Sequence, residues 1–136
     1  MSNTRFATAI HIMILLSKDS QRWHTSDWLA ASININPAMV RKELINLKKA
    51  GLVESRLGKD GGVRMGKNAE EISVAEIYQA IKSSEILGKK NQHPNPICTI
   101  GKDINKNLDA LFSETDDLVS QFLKSKKLSD FSDQFE

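Results

Sequence analysis

Basic side chains are concentrated in one part of this sequence. Residues 41–67 contain eight lysines and arginines against three acidic residues, whereas the whole chain of 136 residues has a formal net charge of only +2. The eight are Arg41, Lys42, Lys48, Lys49, Arg56, Lys59, Arg64 and Lys67. A local basic patch in an almost neutral chain is typical of a surface that binds a polyanion. An ordinary solvated face is the alternative interpretation.

The other residue with potential chemistry is Cys98, the single cysteine. One cysteine excludes a disulfide within the chain and any metal site built from several cysteines of one chain. His93 precedes it by five residues, but one histidine and one cysteine make a poor metal site. We therefore expect no metal and no cofactor. Cys98 is either a small structural side chain or a redox sensor. No base–orienter pair stands nearby, so we expect no enzymatic activity.

The elements that carry the basic residues begin with three helices. The first is predicted over residues 4–18 and is apolar almost all round, which indicates burial. The second covers 25–32 and is capped by Thr25 or Ser26. The third starts with Asn36 as N-cap and Pro37 in the first helical position, and it ends at Gly51. Two strands, "LVESRL" and "GVRMG", then form a hairpin with a glycine-rich loop.

Three helices followed by a hairpin are the layout of a winged helix-turn-helix. Its third helix fits the major groove of DNA, and the hairpin, or wing, contacts phosphates or the minor groove. Val40, Leu44 and Leu47 should face the core, because they recur at the helical period. Trp23 and Trp28 should anchor the helix-turn-helix from the core or its edge. The predicted DNA-binding residues are Ser26, Asn36, Ala38, Met39, Arg41, Lys42, Asn46, Arg56, Lys59, Gly61, Gly62 and Arg64.

The second half of the chain contains a strong apolar stripe. A helix over 72–84 opens with a capping box, Ser73 with Glu76. After a proline-containing connection, a long helix is predicted from about Ile100 to Lys124, and "LSDFSDQF" adds a short last one. Apolar residues and one threonine recur in the long helix every three or four positions: Ile100, Ile104, Leu108, Leu111, Thr115, Leu118 and Phe122. A homodimer interface best explains this stripe, and an intramolecular core is the alternative.

Specific stretches of the chain resemble the Rrf2 family of winged helix-turn-helix bacterial regulators, in particular its YwnA-like group without a cluster. The stretches are "INPAMVRKELINLKKAGLVESRLGKDGGVRMG", "ISVAEIYQAI" and "NPICTIGKDI". The resemblance covers essentially the whole chain and implies a homodimer on a palindromic operator. Several members sense iron–sulphur status through three cysteines, of which only Cys98 is present here. Many members also have an arginine before the first wing glycine, where this chain has Leu57, with Arg56 one position earlier.

Together these observations predict a mainly α protein with a small β-hairpin: a winged helix-turn-helix domain (1–84), a linker (85–99), and a dimerisation helix with C-terminal tail (100–136). The expected function is a DNA-binding transcriptional regulator, a repressor acting as a homodimer and responsive to redox or a small molecule. A winged-helix protein-interaction module is the alternative. The longest apolar run of the chain, Ile12 to Leu16, is far too short to cross a membrane. We therefore expect a cytoplasmic location.

Overall fold

The protein is mainly helical with one hairpin, and the computed structural model describes residues 3–82 and 86–135. In chain order the elements are α1 (Arg5–Lys18), α2 (Ser26–Ile33), α3 (Pro37–Lys49), β1 (Val53–Arg56), β2 (Gly62–Met65), a 3₁₀ helix (Ala69–Glu71), α4 (Val74–Ile81), α5 (Ile104–Lys124) and α6 (Leu128–Ser132). This confirms the predicted fold class, a winged helix-turn-helix with a long C-terminal helix. Residues 83–85, where the fourth helix was predicted to end and the linker to begin, lie outside the described residues.

Three helices begin at the residues that the sequence predicts. The Thr25 hydroxyl accepts a hydrogen bond from the backbone N–H of Trp28, 3.1 Å away, and opens α2. The Asn36 side chain accepts from the Ala38 N–H at 2.8 Å and opens α3. Ser73 and Glu76 form both bonds of a capping box at the start of α4. Each cap satisfies a backbone donor that the helix itself cannot satisfy.

The core lies between α1 and the helices packed on it. Ile12, Met13 and Leu16 of α1 are fully buried, as expected for a helix that is apolar nearly all round. From α3, Val40, Leu44 and Leu47 are buried as predicted. Burial of such side chains contributes about 1.5–3 kcal/mol each.

Glu43 of α3 is also buried, only 3% exposed, although it is charged. The Arg5 guanidinium donates to both of its carboxylate oxygens, with Nε 3.1 Å from Oε2. The pair connects the first turn of α1 to the middle of α3. It therefore helps to fix the position of α3 relative to α1.

The wing is an antiparallel hairpin in which Val53 pairs with Met65 and Arg56 with Gly62. His24 extends it as a third, one-residue strand, because its N–H and C=O both bond to Val63 at 2.8 Å. Gly62 has a φ of +148°, and a Cβ there would collide with the carbonyl oxygen of His24. Glycine at this position is what lets the segment before α2 approach the wing so closely.

The long helix α5 begins at Ile104, so the prediction that it starts near Ile100 is wrong by four residues. The reason is local: the Asn95 side chain accepts from the Ile97 N–H at 3.0 Å, and its carbonyl accepts from the Cys98 N–H. These bonds fold the preceding segment into turns. Ile100 consequently lies outside the helix.

The segment before α5 runs antiparallel along that helix. The Ile86 N–H donates to Asp116, the Lys90 ammonium contacts Asp109, and the Asn105 amide donates to the carbonyl of Asn91 at 2.9 Å. From Ile86 to Asn91, the residues of α5 that are contacted lie progressively closer to the N-terminus of the helix. One side of α5 is thereby occupied by its own chain.

The last helix, α6, packs back on α1. Leu128 is fully buried, and its N–H donates to the carbonyl of Ile72 at 2.8 Å. The hydroxyls of Ser17 and Ser132 lie 2.8 Å apart. The C-terminal residues after α5 thus contribute to the core around α1, while the domain boundary predicted at residue 99 stays a prediction. Among the described helices, none combines the length and the apolar character needed to span a bilayer.

Candidate nucleic-acid interface

The exposed face of α3 is the first part of the candidate interface. Successive residues of a helix are rotated by about 100°, so Ala38, Lys42, Ile45 and Lys49 lie opposite the buried side. All four are exposed. Arg41 is exposed on the flank of the same face, and Met39 is 47% exposed on the other flank. This face of α3 therefore offers both cations and apolar groups to a partner.

The polar residues at the start of α3 and along it differ in whether their side chains already form hydrogen bonds within the protein. The side chains of Asn36 and Asn46 are hydrogen-bonded within the protein, Asn36 as the cap and Asn46 to the Lys42 carbonyl and to Glu43, both at 3.4 Å. Arg41 makes a long contact of 3.4 Å with the Ser26 hydroxyl. Across the described residues, no hydrogen bond or ion pair engages the Lys42 ammonium. Lys42 is therefore available to a ligand, and so is Arg41 apart from this one long contact.

The wing carries a cluster that the sequence did not reveal. The guanidinium carbons of Arg56 and Arg64 lie 4.8 and 4.2 Å from the ring centre of Trp23. Both arginines project from the outer face of the hairpin, since Arg56 pairs with Gly62 and Arg64 with Glu54. Gly62 has no side chain, which leaves room on this face. Trp23 therefore holds both guanidinium groups by cation–π contacts.

Further contacts order these two arginines. Arg64 Nε donates to Glu54 at 2.5 Å, and Arg56 Nη2 donates to the Asp60 carbonyl at 2.6 Å. Each guanidinium has five N–H donors, so donors remain for another acceptor. Trp23 was expected in the core or at its edge, and the structure places it at the edge. Nothing in the local sequence pairs it with arginines 33 and 41 positions later.

Lys59 and Leu57 occupy the tip of the wing. Leu57 is 96% exposed, and Lys59 is also exposed, with no polar contact to the described part of the chain. Gly61 is only half-buried, yet a Cβ there would collide with the backbone of Arg56 across the loop. The tip is thus a tight turn whose one cation extends into solvent.

Side-chain contacts on two sides of the domain help to join the helix-turn-helix to the wing. The Lys48 ammonium at the end of α3 donates to the Ser55 hydroxyl of β1 at 2.6 Å. On the other side, the Trp28 ring stacks on His24 with ring centres 4.8 Å apart. Trp28 is 48% exposed and lies at the edge of the core, whereas His24 is buried. These contacts fix the position of the wing relative to α2 and α3.

The α5 stripe is largely open in the protomer. Phe112, Asp116 and Leu123 lie on one side of α5, where Phe112 is buried and Asp116 pairs with Lys82 at 2.8 Å. The centre of the apolar stripe is rotated by roughly 100° about the helix axis from this side. Leu111 is 51% exposed, Leu118 69% and Phe122 62%, while Ile104, Leu108 and Thr115 are half-buried. Most of this apolar surface is free for a partner.

Cys98 is exposed, in the turns before α5. The backbone N–H groups of Gly101 and Ile100 donate to its sulfur and lower the pKa of the thiol from its ordinary value of 9.0. The sequence showed no adjacent cation that would have this effect. Backbone amides produce it because they stabilise the thiolate.

A cleft of about 660 Å³ lies between α4 and α5. Small and polar residues line it, among them Ala75, Gln79, Ala80, Ser120 and Lys124. The Gln79 amide donates to the Ser120 hydroxyl at 2.9 Å across it. A second, more polar cleft of about 770 Å³ is formed by the end of α1, the 3₁₀ helix and α6. The first cleft lies between the winged-helix body and the long helix.

Comparison with known proteins identifies the family. The family model described as "Rrf2: Iron-dependent Transcriptional regulator" matches residues 2–134. The chain belongs to the Rrf2 family. It is 38% identical over 130 residues to YwnA of Bacillus subtilis, named as an HTH-type transcriptional regulator, with 96% of each chain covered. A transcriptional regulator is therefore the function class, as predicted, and the protein-interaction module is not favoured.

Solved structures agree with the Rrf2 assignment. A crystal structure described as that of a DNA-binding protein shares 35% identity, with a TM-score of 0.74 over 93% of this chain and 97% of that one. CymR, the global cysteine regulator of B. subtilis, has the same fold, with a TM-score of 0.71 over 100% of this chain and 98% of CymR. At 21% identity, this second likeness shows the fold alone.

The iron named in the family description does not fit the donor set of this chain. Iron–sulphur clusters are held mainly by cysteine thiolates, and this sequence has one cysteine. Within residues 3–82 and 86–135, no three or more histidine, cysteine or acidic side chains are grouped so that they could bind a metal ion. Cys98 therefore cannot supply the three-cysteine site that the family resemblance implies for cluster-binding members.

Proposed function

We propose that this Rrf2 protein is a homodimeric repressor that binds a palindromic operator through α3 and the wing. The observation that carries this proposal is the adjacency of two basic surfaces. The exposed face of α3 presents Arg41 and Lys42, and the wing presents arginines held on Trp23 together with Lys59. The Lys48–Ser55 contact holds these surfaces side by side.

In the proposed complex, α3 enters the major groove. Arg41 and Lys42 are in its second turn, near the end that a recognition helix presents to base edges. Either side chain can donate to guanine O6 and N7 or to a phosphate. We assign Asn36 and Asn46 structural roles instead, because the Asn36 oxygen caps α3 and the Asn46 amide donates to Lys42 and Glu43. Ser26 contributes through its contact with Arg41.

The wing contributes phosphate contacts. Arg56 and Arg64 keep free donors and are ordered before DNA arrives, because Trp23 and the Glu54 and Asp60 contacts restrict their rotamers. Preorganisation reduces the entropy lost on binding. Lys59 at the tip adds a solvent-exposed charge, and Gly61 and Gly62 allow the tight turn that presents it.

The homodimer is formed through the α5 stripe. Leu111, Leu118 and Phe122 are exposed on one face of α5, and a two-fold related helix would cover them on both protomers at once. Ile104, Leu108 and Thr115 flank these residues on the same face. Ile100, although outside the helix, is 72% exposed next to its start and extends the apolar surface.

The regulatory signal enters at the junction between the DNA-binding body and α5, or through the turns that precede α5. Two routes are supported: a small molecule in the α4–α5 cleft, or oxidation of Cys98, whose pKa is lowered by backbone amides. Both lie where a change would alter the angle between two recognition helices. The proposal contains no catalytic step, and a regulator of this kind acts on chromosomal DNA in the cytoplasm.

The experiment is a binding titration on a duplex selected from a random pool and on an unrelated duplex of equal length. Lys42→Ala or Arg41→Ala should weaken selective binding by about 1–3 kcal/mol if the side chain reads a base. Equal losses on both duplexes would assign it to phosphate. Lys106→Ala, which removes the same charge from α5, is the matched control and should change neither affinity.

The wing is tested by the salt dependence of the same titration. Lys59→Ala and Arg64→Ala should each reduce the log–log slope by about one. Trp23→Ala should reduce it as well, although it removes no charge, because the arginines lose their support. Unchanged slopes in all three variants would exclude the wing from the contact surface.

A further inference from the structure

Ile45 is an exposed isoleucine in the centre of the basic face of α3. Its exposed fraction is 57%, and it lies seven residues, close to two turns, after Ala38 on the same line of the helix. Arg41 and Lys42 precede it by one turn, and Lys49 follows it by one turn. A large apolar side chain thus lies among cations on the surface that the proposed function places against DNA.

The Ile45 side chain is not part of the hydrophobic core. The buried side of α3 is filled by Val40, Leu44 and Leu47, which lie on the opposite side of the helix. Ile45 also lies outside the α5 stripe and therefore outside the proposed dimer interface. Its apolar surface would be removed from water only when a ligand covers this face of α3.

The major groove offers one apolar group for such a contact, the C5-methyl of thymine. The helix rises about 1.5 Å per residue, so Ile45 lies about 6 Å beyond Arg41 along the axis. That distance is roughly two base-pair steps of 3.4 Å. Arg41 and Ile45 would therefore face different base pairs of one half-site, the first suited to guanine and the second to thymine.

Resting on the proposed function, we infer that Ile45 is a specificity-determining residue that contacts a thymine methyl in each operator half-site. Ile45 reads thymine by van der Waals contact, and no hydrogen bond is involved. A cytosine at the same position presents a hydrogen instead of the methyl, so the contact is lost. The operator should therefore contain a thymine whose methyl group strengthens binding of the wild type. Variants with a shorter side chain at position 45 should not gain from that methyl group.

The test replaces single thymines of the selected operator by uracil, which removes only the methyl. Loss of one buried methyl should weaken wild-type binding about fourfold, which corresponds to about 0.8 kcal/mol. Symmetric replacement in both half-sites should weaken it more than tenfold. Ile45→Ala should bind the thymine and uracil duplexes equally. Because Ile45 is exposed and alanine favours helices, this variant should melt no lower than the wild type.

Ile97→Ala is the matched control, because Ile97 is 90% exposed but lies in the turns before α5. It should keep the full preference for thymine over uracil. The inference is overturned if no uracil substitution affects the wild type, or if Ile45→Ala keeps the wild-type preference. If the proposed function itself is wrong, the results differ: no duplex would be enriched from the pool, and binding would not depend on salt.

Discussion

The substitution Leu118→Asp should convert the dimer to a monomer without unfolding the protein. Leu118 is 69% exposed in the protomer, so an aspartate there meets water as long as the chain is alone. Substitutions at exposed positions usually change the free energy of unfolding by less than about 0.5 kcal/mol. In the proposed dimer, the same carboxylate would face an apolar seam.

The magnitude follows from the exposed area of the side chain. Complete burial of a leucine is worth about 1.5–3 kcal/mol, so the exposed two-thirds of Leu118 leave about 1–2 kcal/mol per copy for association. Two copies give roughly 2–4 kcal/mol, or a dissociation constant about 30 to 700 times weaker from lost apolar contact alone. Each carboxylate taken out of water adds a penalty of several kcal/mol.

The assay is light scattering coupled to size exclusion at micromolar protein, with a thermal melt of the same sample. The wild type should have twice the 15.2 kDa of one chain, and Leu118→Asp should have the mass of one. Ser113→Asp is the control, because it adds the same charge about 140° away on α5, outside the stripe. If Leu118→Asp stays dimeric, the stripe is not the interface, and the proposed dimer is refuted.

Three further predictions concern stability and the thiol. Arg5→Ala should lower the free energy of unfolding, measured by chemical denaturation, by about 3–5 kcal/mol, because Glu43 would remain buried without its cationic partner. Loss of the half-exposed Lys67–Glu76 pair should cost at most about 1 kcal/mol. Hydrogen bonds from Lys82 and the Ile86 N–H lower the pKa of Asp116 below 3.8, so its stabilisation is complete above that pH and is lost as the pH falls through the lower folded-state pKa. Asp116→Asn should accordingly be less stable than the wild type at neutral pH, with a difference that shrinks on acidification; a constant difference would contradict this. Alkylation of Cys98 should show a midpoint below pH 9.0, and peroxide should weaken operator binding of the wild type but not of Cys98→Ser; an equal response in both would make the thiol structural.

The parts of the fold that were predicted correctly depend on neighbouring residues. Thr25, Asn36 and Ser73 start helices through hydrogen bonds to N–H groups two or three positions away, so each signal is complete within one turn. The core positions of α3 follow from the helical period in the same way. The wing was also recognisable, because glycines border two short apolar–polar alternations.

Features that join distant residues were missed. Glu43 looks like a solvated charge until Arg5, 38 positions earlier, is placed beside it. The support of Arg56 and Arg64 by Trp23 requires the hairpin register and the His24–Val63 bridge, neither of which the sequence shows. The start of α5 was placed too early because the bonds made by Asn95 compete with helix formation.

DNA recognition through α3 can be tested by letting the purified protein select duplexes from a random pool and sequencing those that it retains. We expect an inverted repeat whose half-site centres are about one helical turn, 10–10.5 base pairs, or a multiple apart. We also expect the enrichment to disappear for the double variant Arg41→Ala/Lys42→Ala. A pool that is not enriched by the wild type, or is enriched equally by the double variant, would contradict DNA recognition through α3.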